Sequence, residues 1–465
     1  MLKIGGQKVA PYILWLLLCD AVVIVAALLL AVMIRQQGGL FYVPQLDGLH
    51  TFWRFTVVVV VCILSLYYCD LYDSQILCQH SKLFMRLLNG LAIACIAIAV
   101  IYYFLPFLSI GRGVAALAGP ILIASVLGAR LLIQHTGGLI RRPERVLIVG
   151  TDGTGIQLTR EILKRPELAL KVVGFLDERG ENLGKSLVNP GIIGAVADVR
   201  QIVESQKIDR IVLALSERRG TMPVDELLRL KVGGIRIEDS HSCYERVIGR
   251  ILLERLAPSW LILSDGFRKS EFLLIAKRLI DLFVSFVGLL LAWPVMLLVA
   301  LAIWCETGRP LLFRQKRIGL HGKEFEMLKF RSMRQDAEAA GPAWATANDN
   351  RITRLGSFLR KYRLDELPQL VNVLRGDMSL VGPRPEQPHF CKLLSENVPY
   401  FDQRHSVRPG VTGWAQVKYQ YGSTMDEAKI KLELDLFYIK HLSIFLDLAI
   451  LFETGKVMAV GRGAQ

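Results

Sequence analysis

The chain has 465 residues, of which 52% are hydrophobic, and its formal net charge is +14. This length is too great for one ordinary domain, and this apolar composition excludes a fully soluble protein. The positive charge must therefore concentrate outside the membrane, where it can face anionic headgroups or phosphorylated substrates. No nucleic-acid recognition motif accompanies the charge, so we expect no nucleic-acid partner.

Four apolar stretches in the first third of the chain each approach the ~20 residues that cross a bilayer core. They cover residues 11–34, 52–69, 87–108 and 114–133. Basic residues favour alternate loops, because they precede the first stretch, lie between the second and third, and follow the fourth at Arg141 and Arg142. We therefore predict a four-helix transmembrane domain over residues 1–140, with both of its ends in the cytoplasm.

The next segment, residues 141–255, alternates strand-like runs with amphipathic helix patterns, which predicts a Rossmann-like α/β domain with a parallel sheet. Its first strand leads into a turn with Gly150, Gly153 and Gly155, and Asp177 closes the second strand, where a ribose-binding acid could lie. The spacing is G-x-x-G-x-G rather than G-x-G-x-x-G. We therefore favour a scaffold with tight turns and no ligand, and nucleotide binding is the alternative.

An uncharged stretch over residues 282–305 is long enough for a fifth spanning helix. A fifth crossing would place everything after Glu306 outside the cell, yet basic residues flank the stretch on both sides. Pro294 near its middle removes a helix hydrogen bond and favours a bend. We therefore expect a re-entrant helical hairpin at about residues 275–305, and a straight fifth span is the alternative.

The segment after this stretch is rich in lysine and arginine. Part of that charge is a solvated or lipid-facing surface, but Lys329 and Arg331 can also neutralise a diphosphate. Asp365 and Glu366 follow, next to further basic residues and at the entrance of a predicted helix. Four aliphatic residues recur at helical spacing and predict one buried face of that helix: Leu367, Leu370, Val371 and Leu374.

Adjacent carboxylates at a helix start ordinarily serve as caps. The arginines around Asp365 and Glu366 favour phosphoryl transfer instead, because positive side chains stabilise charge on phosphate oxygens. One carboxylate can attack a phosphorus atom while a second holds Mg²⁺ on the diphosphate.

Five longer motifs occur in one order after the membrane segment. They are KRLID (277–281), KFRSM (329–333), DELPQL (365–370), GDMSLVGPRP (376–385) and PGVTGWAQ (409–416). Together they resemble the monotopic phosphoglycosyl transferases, which are bacterial undecaprenyl-phosphate sugar phosphotransferases. With the preceding helices and α/β domain, the chain resembles the long-form members, the polyprenyl glycosylphosphotransferases. One departure is Trp293 before Pro294, where many relatives have serine.

The resemblance implies a mainly α-helical catalytic domain over residues 256–465, on the cytoplasmic side of a bacterial inner membrane. It implies transfer of a sugar-1-phosphate from a UDP-sugar to undecaprenyl phosphate, which initiates exopolysaccharide or related glycan synthesis. Asp365 would form a covalent phosphosugar intermediate, and Glu366 would assist through Mg²⁺. The other positions that match motifs of the family, as phosphate or nucleotide contacts or beside them, are Arg363, Arg375, Asp377, Pro383, Arg384 and Pro385.

Two other functions are alternatives to the transferase. One is a non-catalytic membrane scaffold or nucleotide-sensing component of a polysaccharide assembly complex, which the intact Asp365–Glu366 pair disfavours. The other is a sugar-nucleotide dehydratase or epimerase that uses the Gly150 turn. The short-chain version of that chemistry needs a Tyr-x-x-x-Lys pair, which the sequence lacks. Membrane lipids are expected partners, and homo-oligomerisation is compatible with the long form.

Overall fold

The structure is a computed structural model. It describes residues 3–4, 7–8, 11–37, 48–69, 71–72, 80–110, 112–136, 143–165, 168–178, 182–185, 188–215, 222–253, 264, 266–334, 351–419 and 424–460. The basic residues Arg141 and Arg142 lie outside the described residues. Two compact units make up the chain, one formed mainly by residues 8–238 and the other mainly by residues 239–465. Two short strands near the N-terminus, β1 (Lys3–Ile4) and β2 (Gln7–Lys8), pair with each other.

Four long apolar helices open the first unit. They are α1 (Pro11–Gln37), α2 (Gly48–Tyr68), α3 (His80–Phe104) and α4 (Arg112–Thr136). Each contains a stretch that is long and apolar enough to cross a membrane, which confirms the apolar helices predicted from the sequence. Helix α1 packs along α4, and α2 packs along α3. A 3₁₀ helix, Pro106–Leu108, lies between α3 and α4.

A polar cluster lies inside these apolar helices. Arg130 Nη2 of α4 donates to Asp20 Oδ2 of α1 at 2.6 Å, and the Tyr72 hydroxyl donates to the same oxygen at 2.7 Å. Asp20 and Arg130 are 2% and 1% exposed. Because a buried charge is costly unless it is paired, the cluster fixes α1, α4 and the segment after α2 to one another.

The α/β domain is built on a five-stranded sheet of order β5-β4-β3-β6-β7. Its elements are β3 (Glu144–Val149), α5 (Gly153–Lys164), β4 (Leu170–Asp177), β5 (Ile192–Ala195), α6 (Val199–Gln206), β6 (Arg210–Leu213), α7 (Val224–Val232) and β7 (Arg236–Asp239). The central strand β3 pairs in parallel with β4 and β6. The predicted parallel-sheet domain is therefore confirmed.

The glycine turn after β3 is shaped by close backbone packing. Gly150 has a φ of +103°, and a Cβ there would lie 2.2 Å from Ala214 O; a Cβ on Gly155 would lie 2.8 Å from Ala214 Cβ. Only glycine fits so close an approach of two chain segments. Asp177 is buried and accepts hydrogen bonds from the backbone and side chain of Asn182 at 3.3 and 3.4 Å. These contacts favour the scaffold interpretation of the turn, and nucleotide binding stays the alternative.

The second unit is mainly helical, with two small two-stranded sheets. Its helices are α8 (Ser240–Ile248), α9 (Glu271–Thr307), α10 (Arg354–Lys361), α11 (Gln369–Arg375), α12 (Pro388–Asn397), α13 (Trp414–Lys418), α14 (Met425–His441) and α15 (Ile444–Val460). Its strands are β8 (Leu312–Ile318), β9 (Glu324–Phe330), β10 (Ser379–Val381) and β11 (Gly410–Thr412). The first two pair antiparallel, and the last two pair parallel. Val373, Leu436 and Ile450 lie at the centre of the core.

Helix α9 contains the segment for which the sequence predicts a re-entrant hairpin. It is assigned as one helix that includes Pro294, rather than as two separate arms. Ser270 caps its N-terminus by accepting a hydrogen bond from the backbone amide of Leu273. By length and composition it also qualifies as a membrane-spanning helix. The re-entrant course therefore stays a prediction.

Candidate active site

Asp365 and Glu366 lie side by side in a 3₁₀ helix, Leu364–Glu366, just before α11. Arg363 precedes this turn with a φ of +54°, a left-handed conformation that is uncommon for a residue with a Cβ. This backbone change ends the run of α10 and turns both carboxylates inward, where they are 6% and 8% exposed. Pro368 then leads into α11 with helical dihedral angles.

Three cationic side chains from separate parts of the chain surround the Glu366 carboxylate. Arg384 Nη2 donates to Glu366 Oε1 at 2.8 Å. Arg363 Nη1 lies 3.5 Å from Glu366 Oε2, and Lys329 Nζ lies 3.9 Å from Oε1. Lys329 comes from the end of β9, and Arg384 comes from the loop between β10 and α12. Glu366 is thus an anchor for positive charge rather than a free carboxylate.

Asp365 is placed differently from its neighbour. Among the residues that the structure describes, no lysine or arginine lies within ion-pair distance of its carboxylate, although Lys329, Arg360 and Arg384 are near enough to affect its pKa. Its oxygens are therefore available for another partner. An anionic phosphate next to this carboxylate would have the surrounding cations to neutralise it.

Asn372 joins the helix after the two carboxylates to the strand that carries Lys329. This side chain is fully buried. Its Oδ1 accepts from the Leu328 backbone amide at 2.9 Å, and its Nδ2 donates to Glu326 O at 2.7 Å and to Asp377 Oδ2 at 3.2 Å. One side chain thus sets the distance between β9 and α11, and with it the position of Lys329 relative to Glu366.

Comparisons with known proteins find relatives for both units of the chain. Residues 272–461 match the family described as bacterial sugar transferase, and residues 68–238 match the family described as CoA-binding domain. The UDP-N-acetylgalactosamine-undecaprenyl-phosphate N-acetylgalactosaminephosphotransferase of Aeromonas hydrophila is 38% identical over 51% of this chain and 56% of that protein. The undecaprenyl-phosphate glucose phosphotransferase of Komagataeibacter xylinus is 35% identical over 71% of this chain and 62% of that protein.

A third relative is matched over a larger share of its length. The UDP-glucose:undecaprenyl-phosphate glucose-1-phosphate transferase of Xanthomonas campestris pv. campestris is 31% identical, over 71% of both chains. This chain belongs to the polyprenyl glycosylphosphotransferase family. The resemblance inferred from the motifs is thereby confirmed. The chain spans less than two thirds of the Aeromonas and Komagataeibacter proteins.

In this glycosylphosphotransferase the two carboxylates have different electrostatic environments. Burial raises the pKa of Asp365 above its usual range, and the charge of Glu366 raises it further. Burial would also raise the pKa of Glu366, but Arg384, Lys329 and Arg363 together outweigh it and lower that pKa to about 2. Burial and the neighbouring Arg384 lower the pKa of Lys329 to about 8. Glu366 therefore stays ionised across the physiological range, and Asp365 is the more basic of the pair.

The pair offers oxygen ligands of the kind that Mg²⁺ prefers. Within the described ranges, no three His, Cys, Asp or Glu side chains form a metal-binding group. The cations around Glu366 already balance its charge, so a further cation fits only together with an anion. Glu366 is the residue that would hold such an ion next to a substrate diphosphate, and this role stays a prediction. Bound there, the ion would neutralise charge on the diphosphate.

The other predicted site residues are spread more widely. Pro383 and Pro385 are buried on either side of Arg384. Arg331 donates from Nη2 to Thr307 O at 2.8 Å and to Gly308 O at 2.7 Å, and so binds the C-terminus of α9. Arg375 is exposed at the far end of α11. Asp377, just beyond it, accepts from Asn372. The structure therefore brings Lys329, Arg363 and Arg384 to the carboxylate pair, but not these last three residues.

The predicted buried face of the helix after the pair is wrong. Leu367, Leu370, Val371 and Leu374 are only half-buried, and the buried residues of α11 are Gln369, Asn372 and Val373. The reason is tertiary. The hydrogen bonds of Asn372 to β9 hold its side chain in the interior. Leu370 faces α9 instead, and its Cδ1 would lie 3.4 Å from a Cβ added to Gly288.

Sequence reasoning counted Arg360 among the basic residues around the pair but assigned it no contact, and it missed Arg404. Arg360 belongs to α10, donates from Nε to Ser332 Oγ at 3.0 Å, and lowers the pKa of Asp365. Its position five residues before the pair was the available signal. Arg404 contacts the backbone of Arg384. No local pattern connects those two residues, since they meet only through the fold.

Proposed function

We propose that the protein transfers a sugar-1-phosphate from a UDP-sugar to undecaprenyl phosphate at the cytoplasmic membrane face and so initiates exopolysaccharide or related glycan synthesis. The observation that carries this proposal is the difference between the two adjacent carboxylates. Glu366 is surrounded by Arg384, Arg363 and Lys329, while Asp365 beside it has no direct ion pair among the described residues. A nucleophile beside a ready set of cations is what phosphoryl transfer requires.

In the first step, an oxygen of the ionised Asp365 attacks the phosphorus that bears the sugar. A bond forms between that oxygen and the phosphorus, and the bond from the phosphorus to the bridging oxygen of the diphosphate breaks. UMP leaves with the bridging oxygen. The sugar phosphate remains on Asp365 as an acyl-phosphate.

In the second step, a phosphate oxygen of undecaprenyl phosphate attacks the same phosphorus. The bond to Asp365 breaks, the carboxylate is regenerated, and undecaprenyl-diphosphate-sugar is released. Lys329 and Arg384 neutralise negative charge on the equatorial oxygens in both steps. Glu366 keeps these two side chains in place, because it is ionised and buried between them.

The proposal includes a membrane helix that enters and returns on the cytoplasmic side. Near the start of α9, Lys277 Nζ lies 2.6 Å from Asp447 Oδ2; near its end, Glu306 Oε1 accepts from the Leu355 amide at 3.2 Å. Both ends are thus held by the same compact unit. A straight helix of this length would be roughly 55 Å long and would extend well beyond a hydrocarbon core of ~30 Å. A helix held at both ends by one unit supports a re-entrant course and a cytoplasmic catalytic domain.

The transferase proposal is tested by nucleotide release. Detergent-purified protein is mixed with undecaprenyl phosphate, Mg²⁺ and each of a panel of UDP-sugars, and UMP is measured. We expect UMP from at least one sugar, and no UMP when EDTA replaces Mg²⁺. Absence of UMP with every sugar, from protein shown to be folded, would favour a scaffold or a different donor.

The membrane course is tested by cysteine labelling in a background without other cysteines. An impermeant thiol reagent is added outside spheroplasts of cells that carry Phe272→Cys, the native Cys305 or Phe107→Cys. Phe107 lies between α3 and α4, which the charge pattern places outside, and is the positive control. We expect labelling at position 107 alone. Labelling at Cys305 but not at position 272 would establish a straight fifth span.

A further inference from the structure

The Pro383-Arg384-Pro385 loop is irregular, yet every one of four successive backbone carbonyls in it has a partner. Pro383 O accepts from the Gly410 amide at 2.9 Å, and Glu386 O accepts from the Ile318 amide at 3.0 Å. Arg384 O accepts from a side chain, Arg404 Nη2, at 2.8 Å. Pro385 O likewise accepts from Arg317 Nη1 at 3.0 Å. A loop fixed at each carbonyl is held rigid although its prolines donate no hydrogen bond.

Arg404 is itself fixed by a carboxylate and by an aromatic ring. The Nη2 atom that binds Arg384 O also donates to Asp435 Oδ2 of α14 at 2.9 Å, and the guanidinium lies over the Phe401 ring at 5.0 Å. Arg404 and Asp435 are 7% and 2% exposed. A planar guanidinium that is stacked and paired in this way has little freedom. It can therefore transmit the position of α14 to the backbone of Arg384.

Arg384 is the point where this support meets the active site. Its carbonyl is held by Arg404, and its side chain donates to Glu366. We propose that Arg404, fixed by Asp435, is a positioning residue that aims the Arg384 guanidinium at Glu366 and at the reacting phosphate. This inference rests on the proposed function. Because a misplacement of about 1 Å in a charged group can cost on the order of 100-fold in rate, the loss of this support should reduce kcat more than it raises KM.

The test is a double-mutant cycle on UMP release under single-turnover conditions. Arg404→Lys keeps the charge but removes the planar guanidinium that lies over Phe401 and holds Nη2 between its two acceptors. We expect it to lower the rate by roughly 10- to 100-fold in the wild-type background. In an Arg384→Ala background the same substitution should change the rate by less than about twofold, because a residue that acts only through Arg384 has nothing left to position.

Arg408→Lys is the matched control. Arg408 is exposed, lies one helical turn's length along the chain from Arg404, and also donates to a backbone carbonyl, that of Gly376 at 3.1 Å. Among the described residues its side chain donates no hydrogen bond to the loop, so the substitution should leave the rate unchanged. If Arg404→Lys fails to fold, Asp435→Asn provides the second variant, since it keeps an oxygen acceptor but removes the charge that fixes Arg404.

A second readout does not depend on the transferase reaction. Hydrogen exchange at the amides of Gly382 and Gly410, which lie at the loop, should accelerate in Arg404→Lys and stay as in wild type in Arg408→Lys. Equal loss of rate in both Arg384 backgrounds, or unchanged exchange at the loop, would overturn the positioning role. If wild-type protein releases no UMP but the loop exchange still responds, the proposed function fails and the structural support of the loop stands.

Discussion

Replacing Asn372 with leucine should destabilise the catalytic unit, because this buried side chain satisfies two backbone groups of β9. In Asn372→Leu, the Leu328 amide and the Glu326 carbonyl lose partners at 2.9 and 2.7 Å. A buried backbone group left without a partner costs about 1–3 kcal/mol; the Glu326 carbonyl is only partly buried and costs roughly 1 kcal/mol, so the two together cost about 2–4 kcal/mol. Leucine has as many side-chain heavy atoms as asparagine and is bulkier, so none of this loss comes from a cavity.

The assay is thermal unfolding of the detergent-purified protein, followed by UMP release below the transition. At roughly 2–4 °C per kcal/mol for a unit of this size, the transition should fall by at least about 4 °C. The rate should fall as well, since β9 carries Lys329. Asn397→Leu is the matched control, because Asn397 is exposed and its side chain donates, among the described residues, only to Leu393 O on its own helix. A transition for Asn372→Leu within about 1 °C of wild type would refute the reasoning.

Two further predictions concern charge. On the acid side, kcat/KM should fall as Asp365 takes up a proton, at a pH above the usual aspartate range because burial raises its pKa. On the alkaline side, kcat/KM should fall near pH 8 as Lys329 loses a proton. Lys329→Arg should remove the alkaline limb; a limb that persists would assign it to another group. In the membrane helices, Arg130→Met should destabilise by about 3–5 kcal/mol by leaving the Asp20 charge buried without its cation, measured by thermal unfolding. Asp20→Leu in the same chain should recover most of that loss, and no recovery would argue against the pairing.

The features that could be predicted from the sequence are those that depend on residues close together along the chain. The apolar helices follow from hydrophobic length, and the first strand and glycine turn of the α/β domain follow from the run that ends at Gly150. The Asp365–Glu366 pair could be recognised because these two adjacent carboxylates lie in a segment that is rich in lysine and arginine. Lys329, Arg363 and Arg384 lie within or next to the same motifs, and the fold brings them to Glu366.

What was missed depends on contacts between distant segments. Strand β7 has one apolar residue, Ile237, among charged ones, so no alternating pattern indicated it. The polar side chain of Asn372 predicts a surface position, and it is buried only because β9 packs against α11. Arg404 approaches Arg384 only because α14 and the 3₁₀ helix Phe401–Ser406 fold beside the loop. Arg331 was predicted to contact phosphate; the structure shows its Nη2 bonded to the end of α9, a contact that the sequence did not indicate, and the phosphate contact stays a prediction.

The covalent intermediate at Asp365 is tested most directly by mass spectrometry. Wild-type protein and Asp365→Asn are each mixed with the active UDP-sugar and Mg²⁺ in the absence of undecaprenyl phosphate, and peptides containing position 365 are weighed. The wild-type peptide should gain the mass of one sugar phosphate and lose it when undecaprenyl phosphate is added. The peptide from the Asp365→Asn variant should gain no mass. A sugar phosphate found on another residue, or turnover retained in Asp365→Asn, would contradict the assignment of Asp365 as the nucleophile.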